Sequence, residues 1–191
     1  MKTIKLPNNR TLKVLHESNP SSPREWDNIT KMIFFGKYSH TGDKHDMDFS
    51  NCDGWDDNEA VIKKHYGRDL VHIQRVYGYS HSGLTISLSP FSCPWDSGIL
   101  GLVIVTRKDV IKLMGNKYAT KKIIAQAISQ VKSEVNTLDQ YIRGDVYGFQ
   151  INDVDGNVED SCWGFYGGDI HTNGIIDNLN EEDSDFIKKS E

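Results

Sequence analysis

Apolar residues along this chain recur with two periods, one helical and one strand-like, and the helical one is clearest near the C-terminal third. Ile124, Ile128, Val131, Val135, Leu138 and Ile142 follow one another at spacings of four and three. Ile123, Ala127 and Tyr141 widen the stripe, while Lys121, Lys122, Gln130, Lys132 and Glu134 lie off it. The spacing predicts an amphipathic helix over residues 120–142, about six turns long, with Thr120 as its cap and Gly144 just past its end. Burying such a stripe is worth at most about 1.5–3 kcal/mol per large side chain, so the helix is expected to lie on a sheet. The stripe is short for a coiled coil.

Strand-like segments fall at residues 3–6, 12–15, 29–35, 70–77, 84–88, 99–105, 146–152 and 158–165. Pro7-Asn8-Asn9-Arg10 between the first two reads as a turn, and Asp153-Val154-Asp155-Gly156-Asn157 between the last two is the strongest hairpin signal in the chain. Residues 99–105 are nearly continuously apolar, which suits a central strand covered on both faces. Short helices are expected over residues 56–66, with Asp56 or Asp57 as cap and Gly67 as stop, and over 108–114, capped by Thr106. This order predicts an α+β fold, with a mainly antiparallel sheet and the long helix packed on one face. A doubly wound sheet is not expected, because strands do not alternate with helices and no glycine-rich phosphate loop follows a strand. One domain is expected over residues 1–176, followed by a flexible acidic tail over 177–191.

Composition narrows the class. A chain of 191 residues is near the upper size for one core. With 37% apolar residues, a mean hydropathy of −0.53 and no apolar run of membrane-spanning length, no bilayer-crossing segment is expected. The N-terminus, Met1-Lys2-Thr3-Ile4-Lys5-Leu6-Pro7, lacks the features of a secretory signal. Cys52, Cys93 and Cys162 are odd in number and unpatterned, which favours reduced thiols over a disulfide framework. A net charge of −5 argues against general nucleic-acid binding, which needs a basic stripe. In the tail Asp177, Glu181, Glu182, Asp183, Asp185 and Glu191 outnumber Lys188 and Lys189, and a fraying, solvated end is expected rather than a phosphate mimic.

Candidate chemistry concentrates in the stretch 76–105, where Ser92-Cys93-Pro94-Trp95-Asp96 joins two apolar strands and the His81-Ser82-Gly83 bend lies just upstream. A catalytic set of Cys93, His81 and Asp96 would make a thiolate nucleophile with an imidazole base, if the chain curls back across residues 84–88. The competing reading is a structural cysteine between prolines. His40, His45 and Asp46, with Cys93 or Cys162 to complete the set, offer divalent-metal ligands by type, but their spacing matches no zinc signature and a solvated polar loop is the alternative. Trp26 and Asp27, Trp95, and Cys162, Trp163 and Tyr166 supply indoles, phenol and carboxylate for a flat-walled ligand site suited to a base, a sugar or a cation. Against this stands a reading in which the tryptophans are core and the acids cap turns. The thiol turn, the histidine bend and the glycine-aromatic segment 161–168 are expected to line one cavity above the sheet. The acids of residues 153–157 do not fit the spacing of a calcium loop.

Several longer strings carry a resemblance: Pro23-Arg24-Glu25-Trp26-Asp27-Asn28, Gly42-Asp43-Lys44-His45, the His81-Ser82-Gly83 bend, Phe91-Ser92-Cys93-Pro94-Trp95-Asp96-Ser97-Gly98, Asp139-Gln140-Tyr141 with Gly144-Asp145-Val146-Tyr147-Gly148-Phe149, and Asp160-Ser161-Cys162-Trp163-Gly164-Phe165-Tyr166-Gly167. In these the chain resembles a protein family encoded by tailed bacteriophages and related mobile elements, over roughly residues 18–168, with the region between Asp48 and Leu70 diverging from it. The resemblance implies a phage origin and a setting in the cytoplasm of the infected host cell; it brings no catalytic residue with it. The expectation is an accessory protein that acts by binding, either inhibiting a host or anti-phage defence protein or sequestering a small nucleotide-like ligand. The alternative is a small hydrolase or nuclease using Cys93 with His81, or a metal at His40, His45 and Asp46.

Overall fold

In the computed structural model, which describes residues 2–190, the chain forms eight strands and four α-helices linked by turns of 3-10 helix. The fold is α+β, as expected, but its strands form two four-stranded antiparallel sheets rather than one. The chain correspondingly divides into two compact units, one of residues Met1–Ser22 with Gln140–Glu191 and one of Pro23–Asp139. Periodicity reveals strands but not their partners: β2 (Thr11–His16) pairs with β7 (Val146–Asn152), so the two ends of the chain build a sheet from which the middle is excluded.

In the middle unit the strand order is β3 (Thr30–Phe34), β6 (Ser97–Thr106), β4 (Leu70–Ser80), β5 (Leu84–Ser87). Residues 100–105 of β6 are all buried, which accounts for their unbroken apolar run. Leu102 and Ile104 pack with Ile33, Met47 and Ile62 of α1 (Trp55–Tyr66) on one face. Val103 and Val105 alternate to the other face, level with Met32 and Thr30 of β3. That face carries α3 (Lys121–Ile142), whose Ala127, Val131, Val135 and Leu138 are buried. Ahead of it α2 (Arg107–Leu113) begins at Thr106, whose hydroxyl accepts the Asp109 N–H as the sequence predicts.

Carboxylates close both edges of this sheet. Along β3, Asp43 accepts the Met32 N–H at 2.7 Å and donates its own N–H to the Met32 carbonyl at 2.7 Å. Glu134 of α3 accepts the Ile29 and Thr30 N–H groups at 2.9 and 3.1 Å. Arg24, its side chain only 7% exposed, joins the two acids: it reaches Asp43 at 2.6 Å, Glu134 at 3.6 Å and the Thr30 carbonyl at 2.8 Å. Gly42 is obligatory here, since a Cβ would stand 2.6 Å from the Met32 carbonyl oxygen. At the opposite edge the buried Asp139 of α3 accepts the Ile86 N–H of β5 at 2.7 Å.

The other unit has the order β1 (Lys2–Lys5), β2, β7, β8 (Val158–Tyr166). Leu12, Val14, Phe149, Ile151 and Phe165 form its core with Ile175, Ile176 and Ile187. The last of these belongs to α4 (Glu181–Lys189), so the segment whose composition suggests a fraying tail is a docked helix. Asn180 caps it by accepting the Asp183 N–H, and Arg10 grips the fully buried Asp183 carboxylate with two bonds of 2.6 and 3.0 Å. Counting Asp183 as a solvated charge fails because its cation lies 173 residues away. Among the described residues no helix is long and apolar enough to cross a membrane.

Two substitutions test these ties. Arg24→Ala leaves Asp43 and Glu134 without their shared cation and is expected to lower the unfolding free energy by about 3–5 kcal/mol in urea titration. Arg10→Ala is expected to raise amide hydrogen exchange across residues 181–189 while β7, in the same sheet, stays slow.

Candidate functional site

The sharpest grouping of chemistry forms where β4 ends. Residues 88–96 carry the chain back over that end, because β6 begins at Ser97 directly opposite Tyr79. Ser80 N–H therefore donates to the Asp96 carbonyl at 2.8 Å. The Asp96 carboxylate then meets His81 Nδ1 at 3.2 Å and the Cys93 thiol at 3.8 Å through the same oxygen. The Ser97 hydroxyl donates to the Cys93 carbonyl, closing the base of the loop. Tyr79 stacks on His81 with ring centres 6.4 Å apart and 17° between planes, and its ring centre lies 5.7 Å from that of Phe91. Tyr38 and Ser80 share a hydroxyl–hydroxyl bond of 2.6 Å. That bond, and then the neighbouring Lys37, lower the pKa of the Tyr38 phenol.

Cys93, His81 and Asp96 thus come together as the sequence suggests, with the thiol and the imidazole both on one oxygen of Asp96. A thiolate site needs the imidazole against the thiol and the carboxylate behind the imidazole. Here the thiol and the imidazole each contact that carboxylate, and no thiol–imidazole hydrogen bond joins them among the described residues. What the arrangement does is fasten the loop. From that base Trp95 projects with 91% of its surface exposed.

The aromatic ligand set divides between the two sheets' units: Trp26, Asp27 and Trp95 are in one, and Cys162, Trp163 and Tyr166 lie on β8 in the other. Trp26 is half exposed and Asp27 pairs with Lys112 at 3.2 Å on the surface. Trp163 lies flat over Gly148, where any Cβ would fall 2.1 Å from its ring, beside a bulge at which Gly164, at φ +91°, donates its N–H to Glu17 at 2.9 Å. The Tyr166 hydroxyl donates to the Ser21 carbonyl at 2.6 Å. These tight glycine contacts are packing within that unit.

The proposed metal ligands also separate. His45 sets its ring edge-on to Phe49, the Asp46 carboxylate faces His65 at 3.9 Å, and His40 sits in the turn Gly36–Thr41. Among the described residues no three His, Cys, Asp or Glu side chains gather as a metal-holding group. All three thiols are free, and burial, then Asp57, Asp48 and Asp53, raise that of Cys52.

One feature escapes sequence reading. Between β5 and α3 a groove of about 340 Å³ is lined by residues 86–89, Gln74, and Lys132, Val135 and Asn136 of the helix. Lys132 and Asn136, one turn apart on the polar side of the stripe, look like ordinary solvated positions until the strand edge is placed beside them.

If the thiol answers to Asp96 alone, His81→Ala leaves the iodoacetamide labelling rate at Cys93 within about twofold near neutral pH; a tenfold fall would restore a thiol–imidazole pair. Comparison with known proteins adds no assignment: no family model, no curated protein and no solved structure matches the chain.

Proposed function

We propose that the chain is an accessory protein of tailed bacteriophages that acts by binding a host or anti-phage defence protein in the cytoplasm of the infected cell, with Trp95 as its anchor. The observation that carries this reading is an indole left 91% exposed on a loop whose base is fastened by Ser80, His81, Cys93 and Ser97. An indole this exposed offers a large apolar face to bury against another molecule and an N–H that can donate there. A loop already held in one shape loses little entropy on docking, so most of the burial free energy remains for affinity. Tryptophan is the commonest kind of residue to dominate such contacts.

The phage setting rests on the resemblance in the motif strings, and the structure uses those strings: Arg24 meets Asp43, and His81 meets Asp96 beside Cys93. A nucleotide-like ligand fits the Trp95 loop less well, since the indole projects outward and has no facing wall within its exposed surroundings. The alternative as a thiol hydrolase or metal-dependent nuclease has neither a thiol–imidazole contact nor a grouped donor set behind it among the described residues.

Affinity purification from infected and uninfected cells, followed by titration of the captured protein, tests the reading. Trp95→Ala is expected to weaken the complex about 30-fold or more at an unchanged melting temperature, while Trp26→Ala, on a different surface loop, leaves it intact. Retention of the partner by Trp95→Ala would remove the loop from the interface.

A further inference from the structure

The groove between β5 and α3 is a site that the Trp95 reading does not use, and its walls are chemically sorted. Its lining holds one cation, Lys132, and no carboxylate, in a chain whose net charge is −5. Two side-chain amides, Gln74 and Asn136, and two hydroxyls, Ser87 and Ser89, supply hydrogen bonds, while Leu88 supplies apolar surface over the buried Ile86 and Val135. The floor is rigid: Ile86 is held by the buried Asp139 at 2.7 Å, and the Ser87 hydroxyl accepts the Ser89 N–H at 3.0 Å. The Gln74 carbonyl oxygen lies 3.3 Å from His72 Nε2, which orients the amide and leaves its NH2 group to donate elsewhere. A volume near 340 Å³ falls within the range of small-molecule sites.

We infer that this groove binds a nucleoside monophosphate, with the phosphate at Lys132 and the serine hydroxyls and the base against the amides and the apolar wall. Each element answers one part of that ligand. An amide presents a donor and an acceptor side by side, which matches the edge of a nucleobase. The partly exposed Leu88 side chain, at the groove's apolar end beside the buried Ile86 and Val135, suits the flat of a base ring, and an ammonium with nearby hydroxyls suits a phosphate dianion. No acid is among the lining residues; the nearest one on the floor, Asp139, is buried and spends one oxygen on the Ile86 N–H.

Isothermal titration of the full chain with adenosine 5′-monophosphate, adenosine and inorganic phosphate tests the site. The monophosphate is expected to bind more tightly than either fragment. Lys132→Glu, an exposed position, is expected to weaken the monophosphate about tenfold or more while leaving adenosine unchanged. Asn136→Trp, also exposed, fills the groove and abolishes binding of both. Circular dichroism and melting curves establish that the variants fold, and Trp95→Ala binds the monophosphate as the parent does. No heat with the monophosphate at millimolar concentration, or equal binding by the parent, Lys132→Glu and Asn136→Trp, overturns the assignment; so does adenosine binding as tightly as its monophosphate.

Discussion

Arg24 is the group on which the middle sheet depends. An edge strand exposes a row of backbone N–H and C=O groups that must find partners or invite another chain. β3 answers with two carboxylates, Asp43 and Glu134, that accept the N–H groups of Met32, Ile29 and Thr30. Two acids brought to one partly buried strand would repel each other and lose hydration, at a cost of several kcal/mol per ion without compensation. The single buried guanidinium of Arg24 lies against both of them and also bonds the Thr30 carbonyl. Lysine could carry the charge but not the forked geometry, which spreads several N–H donors across three acceptors at once.

This constraint propagates through α3. Glu134 binds the helix to the β3 edge, and five residues further on Asp139 binds it to the β5 edge, so one rigid element spans the sheet and fixes both margins. Fixing β5 fixes the hairpin it forms with β4, whose tip carries His81, and the loop that must return to Ser97 is then held against that tip by Asp96. The groove lined by Ile86 and Lys132 is a by-product of the same crossing: a helix pinned at strand edges by side chains leaves space between them.

Much of this was legible in the sequence, for local reasons. The helix of α3, the Thr106 cap, the hairpin of β7 and β8 and the buried run of β6 all depend on periodicity or turn chemistry within a few residues, and the structure has them where the pattern puts them. The convergence of Cys93, His81 and Asp96 was also visible, though the order of their contacts was not, since a one-dimensional string does not say which side chain stands in the middle. What stayed hidden was pairing at long range. The split into two sheets follows from β2 choosing β7, and the docking of α4 follows from Arg10 finding Asp183. An aspartate destined for burial beside an arginine is indistinguishable by composition from one that is solvated, and the three acids that close the middle sheet's edges look like surface charges for the same reason.

The position of Asp96 between thiol and imidazole bears on function through energetics as well as geometry. A catalytic cysteine works by giving its proton to a base and standing ready as thiolate, which a neighbouring cation or imidazole favours. A loop brace has the opposite need: donors on both sides converging on one acceptor, so that each bond draws the backbone inward. Asp96 receives from Cys93 and His81 and lends its carbonyl to Ser80, so every polar contact it makes shortens the loop's freedom. Tyr79, stacked on His81 and touching Phe91, adds apolar weight to the same end. All of this order surrounds a side chain that packs on almost nothing within its own chain. Ordering a loop costs about 1–2 kcal/mol of backbone entropy per residue, and that cost is met here in the free protein, leaving the Trp95 indole positioned before any partner arrives.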